Sequence, residues 1–412
     1  MKRRGWRSLL IALVMLLQLV PVSVQAQSGS IEAVVLSAQT ETVLATFSSL
    51  EEAADYFEEH RQEDDGQTQL GLRQDGRWLA LEQGIVFFSS PGCTVNTEYI
   101  NLDTGESGYL NGCYGADGAY LGSDLENGQI RFEIAGVRGR VSAEAVTLVP
   151  LSQAGNLSCY TLHSGRLVHQ LRESLSSSRY STMIDLGEAP VALQSYSTLY
   201  SYDGHYFYED AAVMLQDAQA GSTASSVNPS EPFYFYYQYL PHRSLTWISA
   251  EQLESYFQDA LGIDKTITTY RDRDRNSVHD TLNQSLYYQQ ASAFFEAQHL
   301  YGSNAMMMLA LSMNETASGR SSLSFTRNNL FGHAAYDSDV EANARRYFQL
   351  SGSILAHAKS YVSGSYLNPS KFQYHGGFFG DKASGVNVSY ASDPDWGEKA
   401  ASYYMKVDEA LG

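Results

Sequence analysis

The stretch Asn304-Ala-Met-Met-Met-Leu-Ala-Leu-Ser-Met-Asn-Glu315-Thr-Ala-Ser-Gly319 decides how the C-terminal half of this chain is read. Apolar residues fill nearly every position from Ala305 to Met313, so a helix here has no face to offer solvent and must be buried. Glu315 arrives at its C-terminal end. A carboxylate placed there meets the negative pole of the helix and apolar neighbours, and both disfavour ionisation. A carboxyl group that keeps its proton near neutral pH can act as a general acid, which makes Glu315 the candidate catalytic residue. The plain alternative is a solvated glutamate just past a core helix.

Working outward, the chain after the aromatic run Phe233–Tyr239 is mainly helical. Ser249-Ala250-Glu251-Gln252 is a capping box opening a helix that Gly262 can end. Further helices are expected over residues 285–300, 304–313, 353–362 and 395–411. Asp393 or a near neighbour is the expected cap of the last, with Pro394 in its first turn. Before Phe233 the texture is β. Short strands separated by glycine turns run from residue 31 to 150, interrupted by one helix that Ser48-Ser49-Leu50-Glu51 would cap. A second β-rich piece contains the hairpin signal Asp203-Gly204. The expected fold is therefore multidomain: a small α+β module over 27–82, a β module over 83–152 read as a small barrel, a small β module over 156–215, a linker over 216–232 and a mainly α (α+β) domain over 233–412.

The first 26 residues carry Lys2, Arg3, Arg4 and Arg7, an apolar run from Leu9 to Val20, and Val24-Gln25-Ala26. That is the pattern of a secretory signal peptide, and the apolar core is shorter than the roughly 20 residues needed to span a bilayer. The expectation is cleavage after Ala26, an extracellular or wall-associated protein and no stable membrane anchor. The formal charge of −19 argues against nucleic acid as a partner, since such affinity rests on Lys and Arg. Three cysteines leave at least one thiol unpaired; Cys93 and Cys113 could close a loop, or all three could be reduced and buried. The ten histidines form no H-E-x-x-H pattern and the cysteines lack zinc spacing. Asp272-Arg273-Asp274-Arg275-Asn276 begins like a calcium loop but lacks the glycine and closing glutamate. No metal and no cofactor are expected, and the expected state is a monomer.

Downstream of Glu315 stand Ser321-Ser322-Leu323-Ser324-Phe325, Asn328-Asn329-Leu330-Phe331-Gly332 and, near the end, Tyr390-Ala391-Ser392-Asp393-Pro394. With the apolar helix and its Glu-Thr, this ordered set resembles the peptidoglycan glucosaminidases of glycoside hydrolase family 73, over about residues 240–412. The segments around Asp203-Gly204-His205 and Tyr239-Leu240-Pro241-His242 are similar to those of chain-dispersing glucosaminidases of Gram-positive cocci, and the closing strands before Pro150 resemble bacterial SH3-like wall-binding modules. The resemblance implies a lysozyme-like domain with a groove, hydrolysis of the β-1,4 bond after N-acetylglucosamine in peptidoglycan glycan strands, Glu315 as acid and Tyr390 beside it. It places Asn328, Asn329 and His333 as candidate substrate-binding residues, although the asparagines equally fit a brace at the lobe junction. A second carboxylate is usual in glycosidases; Asp337 is the first candidate, then Glu341, with Asp339 behind, and the substrate's acetamido group can stand in for it. His333 and Arg320 depart from the family pattern and put subsite preference in doubt. The competing functions are a muramidase or lytic transglycosylase acting on the neighbouring bond, and a wall-binding protein without catalysis.

Overall fold

The computed structural model describes residues 29–37, 40–61, 68–89, 93–115, 117–266, 284–333 and 344–412. The expected signal peptide, the acidic loop at 272–276 and the candidates Asp337, Asp339 and Glu341 lie outside the described residues.

The first module is β1 (Ile31–Ser37), β2 (Glu41–Phe47), α1 (Leu50–His60), β3 (Thr68–Gln74) and β4 (Arg77–Leu81), paired antiparallel in the order β2-β1-β3-β4. Ser49 caps α1 by accepting from the Glu52 amide, and Ala53 and Phe57 bury that helix on Ala33, Leu70 and Leu72. The second module holds β5 (Gly84–Phe87), β6 (Thr97–Asn101), β7 (Ser107–Leu110), β8 (Asp117–Asp124), β9 (Gln129–Ile134), β10 (Val137–Ser142) and β11 (Thr147–Pro150), in the order β11-β5-β8-β9-β10-β6-β7. Strict alternation of buried and exposed residues along β10 matches its period of two. Among the described residues the end strands β11 and β7 of this seven-stranded sheet are not paired with each other. A disulfide joins Cys93 to Cys113, and Cys159 is a buried free thiol.

The third module pairs β12 (Cys159–His163), β13 (Arg166–Leu171), β14 (Thr182–Glu188) and β15 (Thr198–Leu199) in the order β14-β13-β12-β15. The expected linker is a correction. Its first residues belong to α2 (Ala211–Ala220), which Asp210 caps and left-handed Gly221 ends, with Met214 and Leu215 buried. Beyond it Asn228 is buried, accepting from the Phe207 amide and donating to His205 and Glu231 carbonyls, so this stretch is tied to the β module.

The C-terminal domain contains α3 (Ala250–Asp259), α4 (Ala291–Tyr301), α5 (Ala305–Thr316), α6 (Ser322–Arg327), α7 (Leu350–Ala356), α8 (Asn387–Tyr390) and α9 (Trp396–Leu411). The Ser249–Gln252 capping box is formed at the start of α3. After α7 the chain winds on as a π-helix, His357–Tyr366, where an ordinary helix was expected. One apolar core runs from Tyr160, Leu167 and Ile184 of the third sheet through Met306–Leu311 of α5 to Trp396 and Met405 of α9. The third sheet and the helices thus bury each other, and the helical domain is not a bead on a string. No helix among the described residues is long and apolar enough to cross a membrane.

Candidate active site

Helix α5 delivers Glu315. Asn304 caps it, its side chain accepting from the Met306 and Met307 amides at 2.9 and 3.1 Å. Every residue from Ala305 to Met313 is buried. The helix runs to Thr316, one turn longer than expected, so Glu315 lies within its last turn. Three successive left-handed residues, Ala317, Ser318 and Gly319, then turn the chain away. The indole Nε1–H of Trp396, in the first turn of α9, donates to Glu315 Oε1 at 2.8 Å. Burial pushes the Glu315 carboxyl up to about 7; the Trp396 bond acts downward and the charge of Asp393 upward. Glu315 therefore carries its proton at mildly acidic pH, as a proton donor to a leaving oxygen must.

Glu315 opens on a groove of about 910 Å³. One wall is Tyr390, whose ring stacks on Trp396 at 4.5 Å and whose hydroxyl donates to the Phe331 carbonyl at 3.4 Å. Burial, and then the nearby Glu315, raise the Tyr390 phenol well above its usual range, so it stays a neutral donor. The floor carries Gly332 at φ 61°, where a Cβ would lie 3.5 Å from Glu315 Oε2; glycine lets the backbone turn beneath the acid. The opposite wall comes from the β modules. Asn96, Tyr109 and Tyr114 of the second module and Thr182–Ile184 of β14 line the same groove. The disulfide-closed segment holds both sides of Tyr390 directly: the Asn111 backbone amide donates to Ser392 O at 2.8 Å and Tyr109 Oη to Ser389 O, in α8, at 3.1 Å.

Residues 291–409 match the family model described as mannosyl-glycoprotein endo-beta-N-acetylglucosaminidase. This segment is a glucosaminidase-family domain. Over 147 residues the chain is 38% identical to proteins from two strains of Streptococcus pneumoniae that carry the provisional name endo-beta-N-acetylglucosaminidase. That match takes in 35% of this chain and 21% and 20% of the relatives, so the chain spans about a fifth of their length. Among solved structures it is similar to S. aureus Autolysin E, seen as a catalytic mutant in complex with the disaccharide NAG-NAM, at 15% identity and a TM-score of 0.31 over 42% of this chain and 73% of that one. A structure named Major Bifunctional Autolysin is 21% identical, with a TM-score of 0.27 over 43% of this chain and 69% of the other.

Within the glucosaminidase domain the motif residues separate into those that face the groove and those that hold it. Glu315, Tyr390 and His333 line it. Asn329 is fully buried and donates to the His333 and Arg345 carbonyls while accepting from the Phe331 and His333 amides. Asn328 ends α6 in the left-handed conformation and donates to the Tyr347 and Phe348 carbonyls. Neither is among the residues that line the groove, and the four bonds of Asn329 and the two donated by Asn328 fit the brace at the lobe junction. His333 is buried, and both ring nitrogens are engaged, with Tyr347 Oη at 2.6 Å and His357 at 3.0 Å. Its ring stacks on Tyr361 at 3.9 Å, and burial lowers it to about 3, leaving it a neutral part of the groove floor.

Trp396 had no assigned role in the sequence, and Asp393 was expected only as a helix cap. Trp396 stands two positions after Pro394, and only the fold brings its indole to Glu315. Asp393 is not the side-chain cap of α9. Asp395 holds that position, while Asp393 accepts both from the Asp395 amide and from Lys399 Nζ, the latter at 2.9 and 2.7 Å. Both Asp393 and Lys399 face the groove.

Proposed function

We propose that this protein is a secreted, wall-associated peptidoglycan hydrolase that cleaves the β-1,4 bond after N-acetylglucosamine, with Glu315 as general acid. The observation that carries the reading is the half-buried Glu315 carboxyl, pushed up to about 7 and held by Trp396, opening on a groove of about 910 Å³. In the proposed reaction Glu315 gives its proton to the leaving glycosidic oxygen as the C1–O bond breaks. A water adds across C1, its hydroxyl going to the sugar and its proton returning the site to its starting state. Tyr390 Oη orients that water or the sugar's acetamido group. Asp337, and after it Glu341, is proposed as the second carboxylate; the acetamido oxygen serves the same purpose where neither reaches. The second module is proposed to be an SH3-like wall-contact unit. Its Asn96, Tyr109 and Tyr114 on the groove wall support contact with the same strand that Glu315 cuts.

Digestion of purified peptidoglycan followed by mass spectrometry of reduced muropeptides tests this reading. Products ending in reducing N-acetylglucosamine are expected, and Glu315→Gln should release none while still sedimenting with sacculi. Reducing or anhydro-muramic acid ends would assign the neighbouring bond instead, and digestion by Glu315→Gln would place the acid elsewhere.

A further inference from the structure

We infer that Lys382 is a positioning residue for the reaction at Glu315: its buried ammonium clasps the short helix that carries Tyr390 and fixes that phenol in the groove. The inference rests on the role proposed for Tyr390 above. Lys382 is fully buried. Its Nζ donates to the carbonyls of Asn387, Val388 and Ala391 at 3.2, 3.4 and 2.9 Å. Lys382 thus gathers carbonyls from both sides of Tyr390 onto one atom.

A four-residue helix such as α8 does not hold itself together in water. No side chain caps its start, and Ala391 at its end is already extended. Carbonyls at a helix C-terminus lack partners within the helix and carry partial negative charge, so a cation is favoured there. Lys382 supplies that cation from another part of the chain. Two further bonds hold the same turn: Tyr109 Oη donates to Ser389 O at 3.1 Å, and the Asn387 side chain to Pro394 O at 2.8 Å.

A buried ammonium is costly. Burial pushes Lys382 down to about 7, while the charges of Asp393 and then Asp381 act upward. The Tyr109 ring faces Nζ at 5.1 Å, a cation–π contact. An apolar side chain of similar size would fill this space without the desolvation penalty. It would not hold the three carbonyls. Tyr390 is the side chain whose place depends on them, because its own hydroxyl meets the Phe331 carbonyl only at 3.4 Å. The clasp also reaches back to the second module. The Lys382 amide donates to Ala135 O at 3.0 Å, in the turn between β9 and β10. With Tyr109, this ties the second module to Tyr390 through one side chain.

The test uses the full chain, purified sacculi and initial rates of reducing-end release. Lys382→Met removes the ammonium and keeps an unbranched apolar stem, with circular dichroism and thermal melting confirming the fold. It should lower kcat by roughly 10- to 100-fold, the scale of a misplacement of about 1 Å, with KM unchanged. Added to Tyr390→Phe it should cost nothing further, since a residue that acts through the phenol has no effect once its hydroxyl is gone. Lys382→Gln keeps an N–H donor one atom nearer the backbone and should fall between parent and Lys382→Met; should the latter fail to fold, Lys382→Gln decides by the same comparisons. A second arm needs no substrate. The Trp396 indole N–H resonance, identified with Trp396→Phe, feels the ring of Tyr390 stacked at 4.5 Å and should shift when Lys382 is replaced. Were the parent itself to release no reducing ends, the proposed function would fall, while that resonance would still decide whether Lys382 places Tyr390. An unchanged kcat, a loss confined to KM, losses that multiply in the double variant, or an unmoved indole resonance would overturn the inference.

Discussion

Replacing Glu315 by Gln should make the chain more stable at alkaline pH while abolishing its activity. In the folded chain the Glu315 carboxyl keeps its proton to about pH 7, against 4.5 when exposed. Between those values the native state binds more protons than the unfolded state, so stability falls as pH rises through the window, and the whole deficit is present above it. A rise from 4.5 to about 7 corresponds to about 3 kcal/mol, at roughly 1.36 kcal/mol per pH unit. Glutamine has the same shape, its carbonyl oxygen still accepts from Trp396 Nε1, and it has no proton to lose. Urea unfolding of parent and Glu315→Gln, followed by tryptophan fluorescence at pH 4 and pH 8.5, measures the difference. The two proteins should match at pH 4, and the variant should be ahead by about 3 kcal/mol at pH 8.5. A variant equal to or weaker than the parent at pH 8.5 would show that Glu315 ionises freely and that its burial is not costing stability.

Trp396→Phe removes the donor that favours ionised Glu315. Hydrogen bonds to a charged acceptor exceed neutral ones by about 1 kcal/mol, so the alkaline limb of kcat/KM against pH should move upward by roughly 0.7; an unmoved or lowered limb would exclude the bond from the titration. Tyr390→Phe should lower kcat by ~10²-fold, as for loss of a positioned donor, with thermal stability little changed because its bond to Phe331 is long at 3.4 Å. A KM effect alone would make Tyr390 a binding residue. Asn329→Ala strips a fully buried amide of four bonds and should cost about 3 kcal/mol in chemical denaturation; a near-neutral result would reject the brace.

What was legible in the sequence was local. The run Ala305–Met313 announced a buried helix, and Glu315 at its end announced a shielded carboxyl, because both follow from neighbours along the chain. Burial, and then the charge of Asp393, push that carboxyl up. The Ser49 cap of α1, the capping box at Ser249 and the alternation along β10 belong to the same short-range physics. The linker was misread because the polar and small residues after Gln216 signal a loop in composition, whereas Asp210 and Gly221 set helix ends before and within that stretch. The asparagine pair was ambiguous for a different reason: a buried amide with four partners and an exposed amide waiting for sugar have the same letter. Cys93 and Cys113 stood open between bridge and free thiols until the segment between them was placed. The far wall of the groove, from Asn96 and Tyr109 to Met183, and the contact of His169 with Glu398, 229 residues away, depend on how modules dock, and no periodicity encodes that.

The central claim is that one carboxyl group, Glu315, holds its proton to near neutrality inside the groove. Infrared difference spectroscopy of the carboxyl band, parent minus Glu315→Gln, measures that titration without substrate. A protonated carboxyl present at pH 6 and lost around pH 7 is the predicted result. Loss of the band near pH 4.5, the range of an exposed glutamate, would contradict the account.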